Sequence, residues 1–120
     1  MTRLQRTALL IPALAVALAG CGKSGGSSSI AAPLSATVQM ASYKFAPPTV
    51  TIKAGGKVTW IDRDADVHTA TSDPGSQPFD TDTVKTGKSK TLTFSKAGTY
   101  RYHCVYHAFM EGTVVVKQGA

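Results

Sequence analysis

Polar and apolar residues alternate in short runs along much of the chain. Thr49-Val50-Thr51-Ile52-Lys53 places an apolar side chain at every second position, and Lys57-Val58-Thr59-Trp60-Ile61 resumes the pattern after the turn-forming Ala54-Gly55-Gly56. A period of two belongs to a strand with one buried face, so this segment predicts a β-hairpin. The same pattern returns in Lys90-Thr91-Leu92-Thr93-Phe94, a turn at Lys96-Ala97-Gly98, and Thr99-Tyr100-Arg101-Tyr102. A last run covers Gly112-Thr113-Val114-Val115-Val116-Lys117. Pro47-Pro48, Asp73-Pro74-Gly75 and Gln77-Pro78 interrupt the chain between runs, and nothing has the spacing of a long amphipathic helix. The expectation is all-β: a sandwich or barrel of about seven or eight short strands.

The amino-terminal part reads differently. An apolar run from Ala8 to Ala19 follows Arg3 and Arg6 and ends in Leu18-Ala19-Gly20-Cys21. It is too short for the ~20 residues of a membrane-spanning helix, but it has the basic, apolar and small-residue parts of an export signal. Residues 1–20 are therefore expected to be a removable signal peptide. The ending resembles the bacterial lipoprotein box, which implies that Cys21 becomes a lipidated amino terminus. Acyl chains there would anchor the protein by apolar burial, at ~0.8 kcal/mol per buried methylene. The Gly/Ser-rich stretch that follows buries too little apolar surface to offset its ordering entropy, so residues 21–35 are expected to be a tether with a reach of ~20 Å. The location expected is the extracytoplasmic side of a bacterial membrane, periplasm or cell surface.

All the aromatic residues, from Tyr43 to Phe109, lie beyond the tether, so the core belongs to one domain at residues 36–120. That segment carries ten basic and seven acidic side chains. Apart from Lys85-Thr86-Gly87-Lys88-Ser89-Lys90 the basic residues are scattered, and no nucleic-acid partner is expected. Lysines at such a spacing suit a solvated strand edge. A monomer is expected.

The chemistry is concentrated in Cys104-Val105-Tyr106-His107-Ala108-Phe109-Met110. With Cys21 lipidated, Cys104 has no disulfide partner, although an exported chain meets an oxidising compartment. A lone cysteine can be a small buried hydrophobe. Here a thiol, an imidazole and a thioether recur every third residue in the loop between the last two expected strands, where one bend could aim all three at a point. Thiolate and imidazole suit copper or zinc, while a weak thioether suits copper in a trigonal site. The other histidines are His68 and His103. His103 adjoins Cys104 at a strand end, where neighbouring side chains point to opposite faces. His68 remains, in a loop that an antiparallel sandwich can bring to the same pole.

With Trp60-Ile61-Asp62-Arg63-Asp64-Ala65-Asp66-Val67-His68, and with Gly98-Thr99-Tyr100-Arg101-Tyr102-His103-Cys104 running through Met110 to Val116, the sequence resembles the cupredoxins, the plastocyanin, pseudoazurin and amicyanin family. The resemblance implies a Greek-key β-sandwich and one type 1 copper that cycles between Cu(I) and Cu(II). It implies His68, Cys104 and His107 as strong equatorial ligands and Met110 as a long axial one, with the His107 edge near solvent. A carrier, not an enzyme, follows, passing electrons between redox partner proteins, with Tyr106, Ala108 and Phe109 as an apolar docking patch. Thr69 stands where the family often has Asn, and keeps a backbone N–H and a hydroxyl to tie the two ligand loops together. The alternative is copper storage or delivery, although such proteins usually expose Met or His clusters and this domain has only Met40 and Met110. A histidine directly before the copper cysteine can also bridge to a second copper, as in nitrite-reductase-like proteins, but that centre needs about three histidines and only His103 is spare.

Overall fold

In the computed structural model, which describes residues 31–119, apolar alternation becomes strand after strand with one face on a common core. Eight strands are formed: β1 (Ser35–Ala41), β2 (Lys44–Ala46), β3 (Thr49–Lys53), β4 (Gly56–Asp62), β5 (Thr71–Ser72), β6 (Ser89–Phe94), β7 (Gly98–His103) and β8 (Glu111–Lys117). Among the described residues there is no helix. The expected all-β class and strand number are observed. The signal peptide at 1–20, Cys21 and the tether as far as residue 30 lie outside the described residues. At the end of the tether segment the Pro33 and Leu34 carbonyls accept the Lys53 and Lys57 N–H groups at 2.8 and 2.9 Å, so ordered pairing begins there.

Two sheets face each other, one in the order β2-β1-β4-β6 and the other in the order β3-β8-β7-β5. β1 with β4 and β3 with β8 are parallel pairs, and the remaining pairs are antiparallel. Between the sheets lie Val38, Met40, Val50, Ile52, Val58, Trp60, Val114 and Val116, all buried. Aromatic rings fill the middle. Trp60 stacks on Phe79 at 5.7 Å between centroids and meets Tyr102 edge-on at 5.6 Å, and Tyr102 meets Phe45 at 4.6 Å. Such pairs contribute beyond their area, and they reach from one sheet to the other.

The hairpin expected over residues 49–61 is not formed. β3 and β4 belong to different sheets, and Ala54-Gly55 carries the chain across the core as an arch. The Ala54 N–H donates to the Lys117 carbonyl on one side and the Gly55 N–H to that of Phe94 on the other. Alternation showed that both strands bury one face, and that holds equally when they face each other across a core. The β6–β7 connection crosses in the same way.

A hairpin that the pattern did not mark joins β1 to β2 through Ser42 and Tyr43, whose φ angles are 51° and 56°. Two-residue loops of this kind favour Asn and Gly, because left-handed backbone costs an ordinary residue ~1 kcal/mol or more. The cost is offset from outside the turn, where the Asp64 carboxylate accepts both backbone N–H groups. This turn, the exit of β4 and the β7–β8 loop meet at one pole of the sandwich.

Candidate metal centre

Three side chains converge there. His68, Cys104 and His107 each offer a donor atom, and the three lie within 4.8 Å of one another. The Cys104 Sγ is 3.8 Å from His68 Nδ1 and 3.7 Å from His107 Nδ1. Both imidazoles therefore present the same nitrogen to the sulfur. Cys104 and His68 are fully buried.

The Cys104–Met110 loop is shaped by its own backbone. The Cys104 N–H donates to the Met110 carbonyl, the His107 N–H to that of Cys104, and the Met110 N–H to that of His107. Consecutive tight turns return the chain so that Glu111 opens β8 opposite His103. Met110, 1% exposed, closes the loop as part of the core. Gly112 is required beneath it, since a Cβ there would lie 2.4 Å from the buried Tyr102 ring.

His68 is fixed from both sides. Its backbone N–H and carbonyl pair with Val84 in an isolated antiparallel bridge. Its Nε2–H donates at 2.8 Å to Asp64 Oδ2, the oxygen that also accepts the Tyr43 N–H, while Oδ1 accepts that of Ser42. A carboxylate only accepts, so the proton sits on Nε2 and the Nδ1 lone pair faces the sulfur. Burial pushes the Asp64 carboxyl up, but the hydrogen bonds from Tyr43, His68 and Ser42 together outweigh it and hold the group below the usual carboxylate range. Sequence reasoning missed this residue. Its place four positions before His68, in a run of alternate aspartates, was the available signal.

Thr69 joins the two loops. Its N–H points at the Cys104 sulfur at 3.4 Å, and its hydroxyl oxygen accepts the Val105 N–H at 3.0 Å. The Thr71 hydroxyl donates to Asp80, so the Thr69 hydroxyl proton goes to Thr71. His103 lies on the other face of β7, its Nδ1 2.6 Å from Asp73 Oδ1, away from the cluster.

His107 is the outward member of the set. Its Nδ1 faces the sulfur, and its Nε2 lies 4.0 Å from Asp66 Oδ2. Tyr43 meets His107 edge-on at 5.0 Å and donates its hydroxyl to Asp66, a bond that raises the phenol above its usual range. Around this edge Tyr106, Ala108 and Phe109 are all exposed, Phe109 at 72%. Val105 and Tyr43 extend the apolar rim beyond the three residues expected.

A soft thiolate, two imidazole Nδ1 atoms and a buried thioether nearby form the donor set of a copper centre. Comparison with known proteins agrees. The family model for the cupredoxin-like domain matches residues 10–116. This chain belongs to the cupredoxins. It is 40% identical to amicyanin of Paracoccus denitrificans over 83 residues, which are 67% of this chain and 63% of that protein. The match thus spans a little under two thirds of that relative. A solved structure of the reduced Cu(I) form of an amicyanin mutant at pH 4 superposes with a TM-score of 0.65 at 37% identity, covering 69% of this cupredoxin and 82% of that chain. The copper-containing nitrite reductase of Thermus scotoductus gives a TM-score of 0.66 at 30% identity, with 73% of this chain matching 23% of that one.

Proposed function

We propose that this cupredoxin is an exported, lipid-anchored one-electron carrier, in which His68, Cys104, His107 and Met110 would hold one copper. The observation that carries the reading is the convergence of His68 Nδ1, Cys104 Sγ and His107 Nδ1 within 4.8 Å, with the far nitrogen of His68 already tied to Asp64. Bound copper supplies a Cu(I)/Cu(II) couple, and a trigonal thiolate–imidazole set is a compromise between the preferences of the two states.

The chain's residues do the rest. Asp64 keeps the His68 proton on Nε2 and strengthens Nδ1 as a donor. Thr69 holds the loops together and directs an N–H at the sulfur, which lowers thiolate electron density. Burial of Cys104 and His68 excludes water, and bonds at both ends of the ligand loop limit movement when the charge changes. The exposed edge of His107 is the electron port, and Tyr106, Ala108 and Phe109 form the apolar surface on which redox partner proteins settle briefly.

A buried single-ion donor set supports a carrier over a store or delivery protein. The pairing of His103 with Asp73 supports a carrier over a nitrite-reductase-like enzyme. The basic, apolar and Leu18–Cys21 elements support export, a lipid at Cys21 and a location on the extracytoplasmic side of a bacterial membrane. The test is to add Cu(II) to the purified chain. An intense visible thiolate-to-copper band is expected, absent in Cys104→Ser and reversible through repeated reduction and reoxidation. A colourless product, or preferential retention of zinc, would overturn the reading.

A further inference from the structure

The opposite end of the sandwich has a charge pattern of its own. It is built from the chain's entry at Pro33 and Leu34, the β3–β4 arch, the β6–β7 connection and the exit of β8. Strand pairing gathers four lysines there. Lys53 stands opposite Lys117 on the parallel β3–β8 ladder, Lys57 is opposite Ser35 on one side and Thr93 on the other, and Lys96 occupies the turn after β6. Lys57, Lys96 and Lys117 are exposed and Lys53 is half-buried. No aspartate or glutamate occurs in these segments: Asp62 closes β4 and Glu111 opens β8, each at the far end of its strand. Among the described residues, none of the four lysines has an ion-pair partner.

An exposed apolar side chain accompanies them. Leu34 is 62% exposed, whereas the other large exposed apolar residues, Tyr43, Val105, Tyr106 and Phe109, surround the donor cluster. Its backbone is held in place. The Leu34 carbonyl accepts the Lys57 N–H, and Gly56 approaches so closely that a Cβ would lie 2.8 Å from that oxygen.

Lysines gathered at the same end as an exposed leucine, with no Asp or Glu in these segments among the described residues, match the chemistry of an anionic lipid headgroup layer. Their methylene stems can lie along the interface while the ammonium groups reach lipid phosphate. We propose that this end docks on an anionic bilayer, seating Leu34 and Lys53, Lys57, Lys96 and Lys117 on the headgroups and turning the His107 edge away from the membrane. Charge complementarity and the entry of the chain at this same end favour a bilayer over an acidic protein. Lasting attachment rests on the proposed anchor at Cys21; the affinity of the lysine end for anionic lipid does not.

The full chain is compared in three states: with vesicles of mixed phosphatidylglycerol and phosphatidylcholine, with pure phosphatidylcholine vesicles, and free in solution. Lysine acetylation is read by mass spectrometry, with Lys44, Lys85 and Lys88 as references. The four docking lysines should be protected several-fold on the anionic vesicles alone, and high salt should remove the protection. Backbone hydrogen exchange at Leu34 and Lys57 should slow with it. Exchange should return to the solution rate when all four lysines are changed to Gln, since each contributes about fivefold in partitioning near an anionic surface. Retention of the visible copper band by that variant shows that it is folded. Equal protection on both vesicle types, protection at Lys85 and Lys88 instead, or an unchanged four-Gln variant would overturn the proposal and leave the lysines to a soluble acidic partner. The mass of the amino-terminal peptide reports lipidation separately, so loss of the anchor reading is distinguishable from loss of the docking surface.

Discussion

Asp64 sets the tautomer of one proposed ligand, His68, and the conformation of a strained turn at once, so its replacement separates two effects. Asp64→Asn keeps the size, and its side-chain amide can still offer an oxygen, but the negative charge is lost. In the metal-free protein, nitrogen-15 NMR should show His68 losing its single Nε2–H form. In the copper-loaded protein the midpoint potential should rise, because a weaker donor stabilises Cu(II) less. The pH dependence has a definite sign. The folded carboxyl of Asp64 lies below its ordinary value, so its stabilisation is complete above the unfolded range of about 4 and is lost as pH falls from there through the lower folded value. The variant should therefore melt earlier than the parent at neutral pH and more nearly alike in acid below the folded value, where Asp64 is protonated in both states. Equal deficits at both would assign Asp64 to shape alone. At the proposed port, Phe109→Ala should slow electron exchange with a partner protein while leaving the visible band intact. Bleaching would show the ring to be structural, despite its 72% exposure.

At the level of elements, the Cys104–Met110 loop was the most legible part of the chain. The three-residue spacing of Cys104, His107 and Met110 described a tight bend, and the structure forms one from the loop's own hydrogen bonds. The strands were legible too, but their partners were not. Alternation around Val50, Ile52, Val58 and Trp60 reports burial and is blind to which sheet a strand joins, so two arches were read as hairpins. The β1–β2 turn was hidden for another reason. Its left-handed residues are Ser42 and Tyr43, and what makes them acceptable is a carboxylate more than twenty positions away. The hairpin that carries the Cys104–Met110 loop depends on Gly112. Gly112→Ala would press on the fully buried Tyr102, and overpacking of this kind should cost ~1–3 kcal/mol in a denaturant titration. The copper band should weaken with it if β7 and β8 are forced apart.

For the molecule as a whole, the sandwich keeps two unlike surfaces at opposite ends: apolar and aromatic around His107, cationic around Leu34. Composition alone gave only a modest positive balance spread along the sequence. The segregation appears once pairing sets Lys53 beside Lys117 and sends Asp62 and Glu111 to the far ends of their strands. Another consequence follows from where the donors hang. His68 lies in the connection that runs from β4 of one sheet to β5 of the other, whereas Cys104 and His107 lie in the loop between β7 and β8. An ion held by them would tie that connection to the β7–β8 loop. Calorimetry should find the loaded form melting several degrees above the empty one, by the linkage between tight binding and folding. Cys104→Ser should erase most of that interval, so that a carrier of the proposed kind would also owe part of its durability to the ion through which it works.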